Sequence, residues 1–200
     1  MMNILITVAH PDDETIGMGG TIKKLSKNNE ITLCVMTDGA SAQYDGKKMI
    51  KVRQDACKKA GKILGISKFH FLNFPDMKLD SIPHVEMNKE LEKIIKKINP
   101  KILYSTSYND LNKDHQKVFE SCSVISRPLS SKIKKFLCFE MGGRNKIPFN
   151  PNTYVDISKE LSFKLKALNQ YKTEINPFPH ERSLKFIESL SHVRGVESGF

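Results

Sequence analysis

At 200 residues the chain suits one domain with a core large enough to fold alone. Its apolar runs fall far short of the roughly 20 residues that span a bilayer, and it does not open with a basic segment followed by a long apolar core, so cytoplasmic residence is the expectation. The net charge of +10 suits anionic ligands, but much of the excess is lysine spread along predicted helices, and the absence of Arg-aromatic interleaving argues against nucleic acid as a partner.

The first apolar run, Asn3 to Val8, has the length and branching of a buried strand. It ends on Ala9-His10-Pro11-Asp12-Asp13-Glu14, which puts an imidazole and three carboxylates where open α/β sheets place their chemistry. Adjacent carboxylates repel unless a cation relieves them, and His with Asp is a ligand set for zinc or ferrous iron. The competing reading makes Asp12, Asp13 or Glu14 a helix cap that complements the helix dipole, with His10 a turn residue. A catalytic metal needs about three protein ligands and an open position, so at least one further ligand must come from elsewhere.

Thr15 to Lys27 reads as a helix and Ile31 to Met36 as a second strand, which sets a βαβ order. Gly17-Met18-Gly19-Gly20 invites a dinucleotide-loop reading. The acids occupy the place of a pyrophosphate, however, so these glycines are read as close-packing positions. Thr37-Asp38-Gly39 closes the second strand at the same sheet edge as His10. Met49, Val52, Ala56, Ala60 and Ile63 then mark a helix that closes on Gly65, and Arg53 near its start reads on composition as a surface charge. A strand at Phe69 to Leu72 leads into Asn73-Phe74-Pro75-Asp76, and a helix from about Val85 stops at Asn99-Pro100.

Lys101 to Ser105 is a fourth strand, followed by a turn-rich loop from Ser107 to His115. His115 stands where a parallel sheet would bring it beside His10 and Asp13, as a further ligand or as a plain helix-start residue. Asp114 either caps that helix or orients an imidazole. Lys135 to Glu140 is a fifth strand and Thr153 to Ile157 a short sixth. A helix follows with Leu161, Leu165, Leu168 and Tyr171 on one face, and His180-Glu181-Arg182-Ser183 begins the last helix. His70, His84 and His192 are assigned to structure. The four cysteines show no Cys-x-x-Cys pair and are read as reduced. The pattern predicts a single α/β domain over residues 1–200: a Rossmann-like, open, mostly parallel twisted sheet of about five to six strands with helices on both faces.

Taken together, Ala9-His-Pro-Asp-Asp-Glu14 with Gly17-x-Gly19-Gly20, Thr37-Asp38-Gly39 and Asp110-Leu-Asn-x-Asp-His115 resembles the LmbE-like, or PIG-L, family of metal-dependent de-N-acetylases. The tract from Phe149 to Ser158, with Lys164, Tyr171, Glu174 and Pro179-His-x-Arg-Ser183, is similar to the bacterial branch that acts on amino-sugar derivatives. The resemblance implies that His10, Asp13 and His115 bind Zn2+, with Fe2+ suited to the same ligands, and that Asp12 is the catalytic base. Many members carry His where this chain has Asn112, a residue that can donate a hydrogen bond to an oxyanion but cannot titrate.

The expectation is therefore a cytoplasmic hydrolase that removes the acetyl group from an N-acetylglucosamine-type substrate, with Asp12, Asn112 and Asp114 as catalytic residues. Arg53, His180 and Arg182 are expected to bind the substrate, and the basic charge suits an anionic aglycone. Homo-oligomers are compatible with the sequence. The alternatives are a metal-dependent amidase acting on a non-sugar N-acyl compound, and a non-catalytic basic protein that binds polyanions through its lysine-rich helices.

Overall fold

The computed structural model describes residues 1–44, 47–143, 145 and 147–200. The described strands are β1 (Asn3–Val8), β2 (Glu30–Thr37), β3 (Lys68–Phe74), β4 (Ile102–Thr106) and β5 (Lys135–Phe139), and they form one parallel sheet in the order β3-β2-β1-β4-β5. The helices are α1 (Asp13–Leu25), α2 (Lys47–Leu64), α3 (His84–Ile98), α4 (Lys113–Ile125), α5 (Leu161–Leu168) and α6 (Leu184–Ser198). None is long and apolar enough to cross a membrane.

Side chains alternate across a strand, so β1 feeds two cores at once. Ile4, Ile6 and Val8 pack on one side with Ile22, Cys57, Leu64, Leu168 and Tyr171 from α1, α2, α5 and the turn beyond it. Leu5 and Ala9 face the other side, where Met87, Leu91, Val118 and Cys122 come from α3 and α4. Three of the four cysteines are buried in these cores, and all four are free.

The strand order reverses at β1. Its chain continues to β2 on one side, while β4 pairs on the other, with Thr7 opposite both Cys34 and Ser105. Loops leaving β1 and β4 therefore diverge and open a crevice at the carboxyl ends of the strands, the place where such sheets bind ligands.

Three sequence expectations are corrected. Residues 153–157 form no strand. They cross α1 instead, where Ile157 fills the space left by Gly20 and the Asp156 carbonyl accepts from Lys24 Nζ at 2.6 Å. A Cβ on Gly20 would come within 2.6 Å of Ile157, and one on Gly17 within 2.2 Å of the Phe139 ring, which is why this helix face needs glycine. Tyr171 lies beyond the end of α5, in a turn in which its N–H bonds the Leu168 carbonyl. The last helix starts at Leu184 because Ser183 caps it by accepting from the Phe186 N–H, so His180 to Arg182 form the preceding turn.

Candidate functional site

His10, Asp13 and His115 converge at the crevice although the two histidines are 105 residues apart in the chain. His10 Nδ1 is 3.2 Å from His115 Nε2 and 3.6 Å from Asp13 Oδ2, and His115 Nε2 is 3.3 Å from Asp13 Oδ1. Tetrahedral donors at the usual zinc–ligand lengths lie about 3.3–3.6 Å from one another, so these separations fit one ion at the common focus. Asp13 Oδ1 is buried and makes no hydrogen bond of normal geometry among the described residues, which leaves a lone pair aimed at that point. The donor set, two imidazoles and one carboxylate, is that of a catalytic metal site with a position to spare.

The outward nitrogens are held as well. His115 Nδ1 donates to Asp110 Oδ2 at 2.6 Å, and His10 Nε2 stands 3.2 Å from both Asp114 Oδ2 and Asp76 Oδ1. A carboxylate behind each imidazole fixes the tautomer that turns the other nitrogen inward. Asp114 is itself pinned by the N–H groups of Met77 and Leu79, so it orients His10 from a fixed position. The reading of Asp114 as the cap of α4 is corrected: the cap is Asn112, whose side chain accepts from the Asp114 N–H at 2.8 Å. Asp110 opens the motif that ends on His115, and its place behind that imidazole emerges from the fold; Asp76 carries no motif, and its signal is its position after β3 at the same sheet edge.

Without an ion this cluster is tightly coupled. Burial works against charge on His115, but Asp13 and Asp110 outweigh it and push the imidazole up to about 9. Burial likewise opposes charge on His10, and Asp114, Asp13 and Asp76 carry it well above the usual imidazole range. Burial favours a neutral Asp13, yet the two histidines hold it well below the ordinary carboxylate range.

Asp12 is built differently. Its backbone has φ 131 and ψ −28, a conformation L residues rarely adopt, at a cost of about 1–3 kcal/mol. Its carbonyl accepts from Thr15 and Ile16 N–H at 2.9 Å and so starts α1, while its carboxylate makes no cap bond. The cap reading therefore fails for the Asp12 side chain. Instead, Asp12 Oδ2 is 3.4 Å from Arg53 Nη2 and 3.6 Å from Arg182 Nη1, and the buried Oδ1 makes no hydrogen bond among the described residues. Burial raises the Asp12 carboxyl above the usual range, and Arg182 and Arg53 pull it back.

Arg53 is 3% exposed, which corrects the surface-charge reading. It reaches the carbonyls of Gly39 and Pro11 as well as Asp12, and Gly39, at φ 64, leaves no Cβ to strike Pro11. Arg53 and Arg182 also share Glu174 Oε2, at 3.3 and 2.8 Å. Glu14 is fully buried: Oε1 accepts from Thr15 and Tyr171 hydroxyls at 2.6 Å, and Oε2 from the Asp12 N–H at 3.3 Å. Burial pushes its carboxyl up to about 7 against those bonds. Arg182 keeps a quarter of its side chain exposed. His180 is exposed and accepts the Arg182 N–H on Nδ1, so it shapes the turn that presents Arg182.

A family model described as GlcNAc-PI de-N-acetylase matches residues 5–125. Diacetylchitobiose deacetylase of Thermococcus kodakarensis is 29% identical over 98% of this chain and 79% of its own length. The Escherichia coli K12 protein named uncharacterized deacetylase YaiS is 31% identical over 85% of this chain and 90% of its own. Among solved structures, N,N'-diacetylchitobiose deacetylase from Pyrococcus horikoshii, complexed with its inhibitor MPG, aligns with a TM-score of 0.80 at 25% identity, over 99% of this chain and 80% of that one. The matched segment runs from β1 to the end of α4 and so contains both histidines and every carboxylate behind them. The chain belongs to the GlcNAc-PI de-N-acetylase (PIG-L) family, and it is an amide hydrolase of the deacetylase class.

Proposed function

We propose that this protein is a zinc-dependent hydrolase that removes the acetyl group from an N-acetylglucosamine-type amino sugar. The observation that carries the reading is the convergence of His10 Nδ1, His115 Nε2 and the unbonded Asp13 Oδ1 beside a second carboxylate, Asp12, with its own unbonded oxygen. The substrate class is supported by relatives named for diacetylchitobiose, whose scissile groups are sugar N-acetyls.

His10, Asp13 and His115 would hold the ion; zinc suits two imidazoles and a carboxylate, as does ferrous iron. When bound, such an ion polarises an amide carbonyl and lowers the pKa of water. Asp12 Oδ1 takes the proton of the attacking water and passes it to the leaving amine. The raised carboxyl of Asp12 suits that work near neutrality, because a base is most effective when its pKa approaches the working pH. Asn112 stands one turn from His115 with its Nδ2 on only the weak acceptor Met77 Sδ at 3.6 Å, which leaves an N–H for the acyl oxyanion. Asp114 acts through His10 rather than on the substrate.

Arg182, partly exposed beside Asp12, binds the polar or anionic part of the substrate, helped by the turn at His180. Arg53 serves that end of the site from below, through Asp12 and Glu174. The net charge of +10 supports an anionic aglycone, and four free cysteines support residence in a reducing cytoplasm, as one domain over residues 1–200.

The test is acetate release from a panel of N-acetylated sugars, their conjugates and N-acetyl amino acids, with added zinc or ferrous iron. Release confined to the sugars supports the reading, whereas release confined to amino acids replaces the substrate class. A His10→Ala or Asp13→Ala protein that kept its metal would sink the ligand assignment. The Asp12→Asn variant is expected to keep its metal and lose about 10²–10⁴-fold in kcat.

A further inference from the structure

Asp12 has two parts that must be aimed, its backbone and its carboxylate, and both are supported from the same short turn at the far end of the chain. The Glu174 N–H bonds the Tyr171 carbonyl at 2.9 Å, so the two residues form one structural unit after α5. From that unit the Tyr171 hydroxyl reaches Glu14 Oε1 at 2.6 Å, and Glu14 Oε2 in turn accepts the Asp12 N–H at 3.3 Å. On its other side Glu174 Oε2 takes Arg182 at 2.8 Å and Arg53 at 3.3 Å, the two cations that stand 3.6 and 3.4 Å from Asp12 Oδ2. Tyr171, Glu14 and Asp12 are fully buried and Glu174 nearly so.

Asp12 needs such support. At φ 131 an L residue relaxes unless its surroundings over-determine it, and relaxation would move the carboxylate whose Oδ1 is unbonded among the described residues. Local sequence supplies the helix-start bonds to its carbonyl and, from Glu14, an acceptor for its N–H. The carboxylate meets Arg53 and Arg182, both held by Glu174, while Glu14 is held by Thr15 and by Tyr171.

We propose that the turn from Tyr171 to Glu174 is a two-armed brace for the base. Tyr171 and Glu14 are positioning residues for the Asp12 backbone, and Glu174, through Arg53 and Arg182, is a positioning residue for its carboxylate. This rests on the reading of Asp12 as the base. The Tyr171 arm touches neither the ligand nitrogens nor Arg182, so loosening it affects the chemical step before metal or substrate binding, whereas Glu174 also holds Arg182 and so acts on substrate binding as well.

The experiment is a set of steady-state and metal-content measurements on zinc-loaded Tyr171→Phe, Glu174→Gln and Glu14→Gln, each alone and combined with Asp12→Asn, assayed on the best sugar of the panel above. Tyr171→Phe is expected to lower kcat at least tenfold with KM within twofold, and Glu174→Gln to lower kcat at least tenfold while raising KM through Arg182, with metal content unchanged in both. Glu14→Gln replaces one of the two accepting oxygens with an amide donor and is expected to lower kcat as Tyr171→Phe does, with metal content unchanged. In the Asp12→Asn background, Tyr171→Phe and Glu174→Gln are expected to lower the residual rate by less than twofold, because their effect passes through the missing base. A large Asp12→Asn defect with unchanged kcat in Tyr171→Phe and Glu174→Gln overturns the brace and leaves the base standing. Loss of metal, or a lower melting temperature with kcat intact, overturns it as well by showing a merely structural turn. An unimpaired Asp12→Asn protein removes the base itself, and the brace with it.

Discussion

The loop after β4 carries its own scaffold, whereas the loop after β1 leans on distant parts of the chain. Around His115 the supports are local, although Met77 and Leu79 hold Asp114: Asp110 Oδ1 accepts the Asn112 N–H, the Asn112 side chain accepts the Asp114 N–H, Asp110 holds His115 Nδ1, and Thr106 bonds the His115 carbonyl. Between Ala9 and Glu14 the decisive partners are Thr37, Arg53, Tyr171 and Arg182, up to 170 residues away. One loop presents a ligand from an ordinary capped helix. The other holds a strained acid among buried charges, and such an arrangement persists only where the tertiary structure over-determines it. Local turn chemistry is enough to present His115, while Asp12, with its unbonded oxygen among the described residues, needs the whole fold around it.

The largest way to break this contrast is to remove a long-range support. Arg53→Met leaves Asp12 and Glu174 buried with only the partly exposed Arg182 as counter-ion. It is expected to destabilise the protein by about 3–5 kcal/mol in urea unfolding. A loss below 1 kcal/mol would mean that the loop after β1 stands without its distant partners.

Next comes pH. In the metal-free protein His115 is raised to about 9, against about 6.5 in the unfolded chain, so the folded state holds the extra proton. That contribution to stability is fully present below about pH 6.5 and is lost as pH rises through about 9. An incoming ion must displace this proton and the one on His10, so zinc affinity at His10, Asp13 and His115 is expected to climb by roughly tenfold to a hundredfold per pH unit between pH 7 and 9. Competition titration against a chelator checks this, and a flat profile would show that the imidazoles are already neutral.

Asp110→Asn and Asp114→Asn remove the acceptors behind His115 and His10. Each is expected to weaken zinc binding about 10–100-fold, read by the same titration. Equal losses would show that the local and the long-range loop present their ligands with the same dependence on support.

The smaller effects separate strain from capping. Asp12→Gly is expected to be more stable than Asp12→Ala by about 1–3 kcal/mol, more than the ordinary preference for glycine over alanine where a helix starts, because glycine adopts φ 131 without strain. Asn112→Ala is expected to cost about 1 kcal/mol as a lost cap, and a kcat equal to the parent's would remove its oxyanion role. Thermal unfolding and the acetate assay read both.

Much of the fold was legible from periodicity. The strand at Asn3 to Val8, its partners at Ile31 and Lys101, and the helices packed between them follow from apolar runs and turn residues, since burial on both faces demands continuous hydrophobics. The strand expected at Thr153 to Ile157 failed because β-branched residues also serve as packing against a glycine-lined helix, and composition does not distinguish the two uses.

The apolar pattern sets the parallel α/β order and puts the His10 cluster and His115 at the carboxyl ends of strands, which topology brings together, while their joint role came from the family resemblance. The contacts that set Asp12, Asp13 and Glu14 apart are visible in the tertiary structure. Whether a carboxylate binds, accepts a proton or braces depends on what surrounds it within a few ångströms. For Asp12, Asp13 and Glu14 those surroundings come from Arg53, His115, Tyr171 and Glu174, whose approach no local pattern encodes.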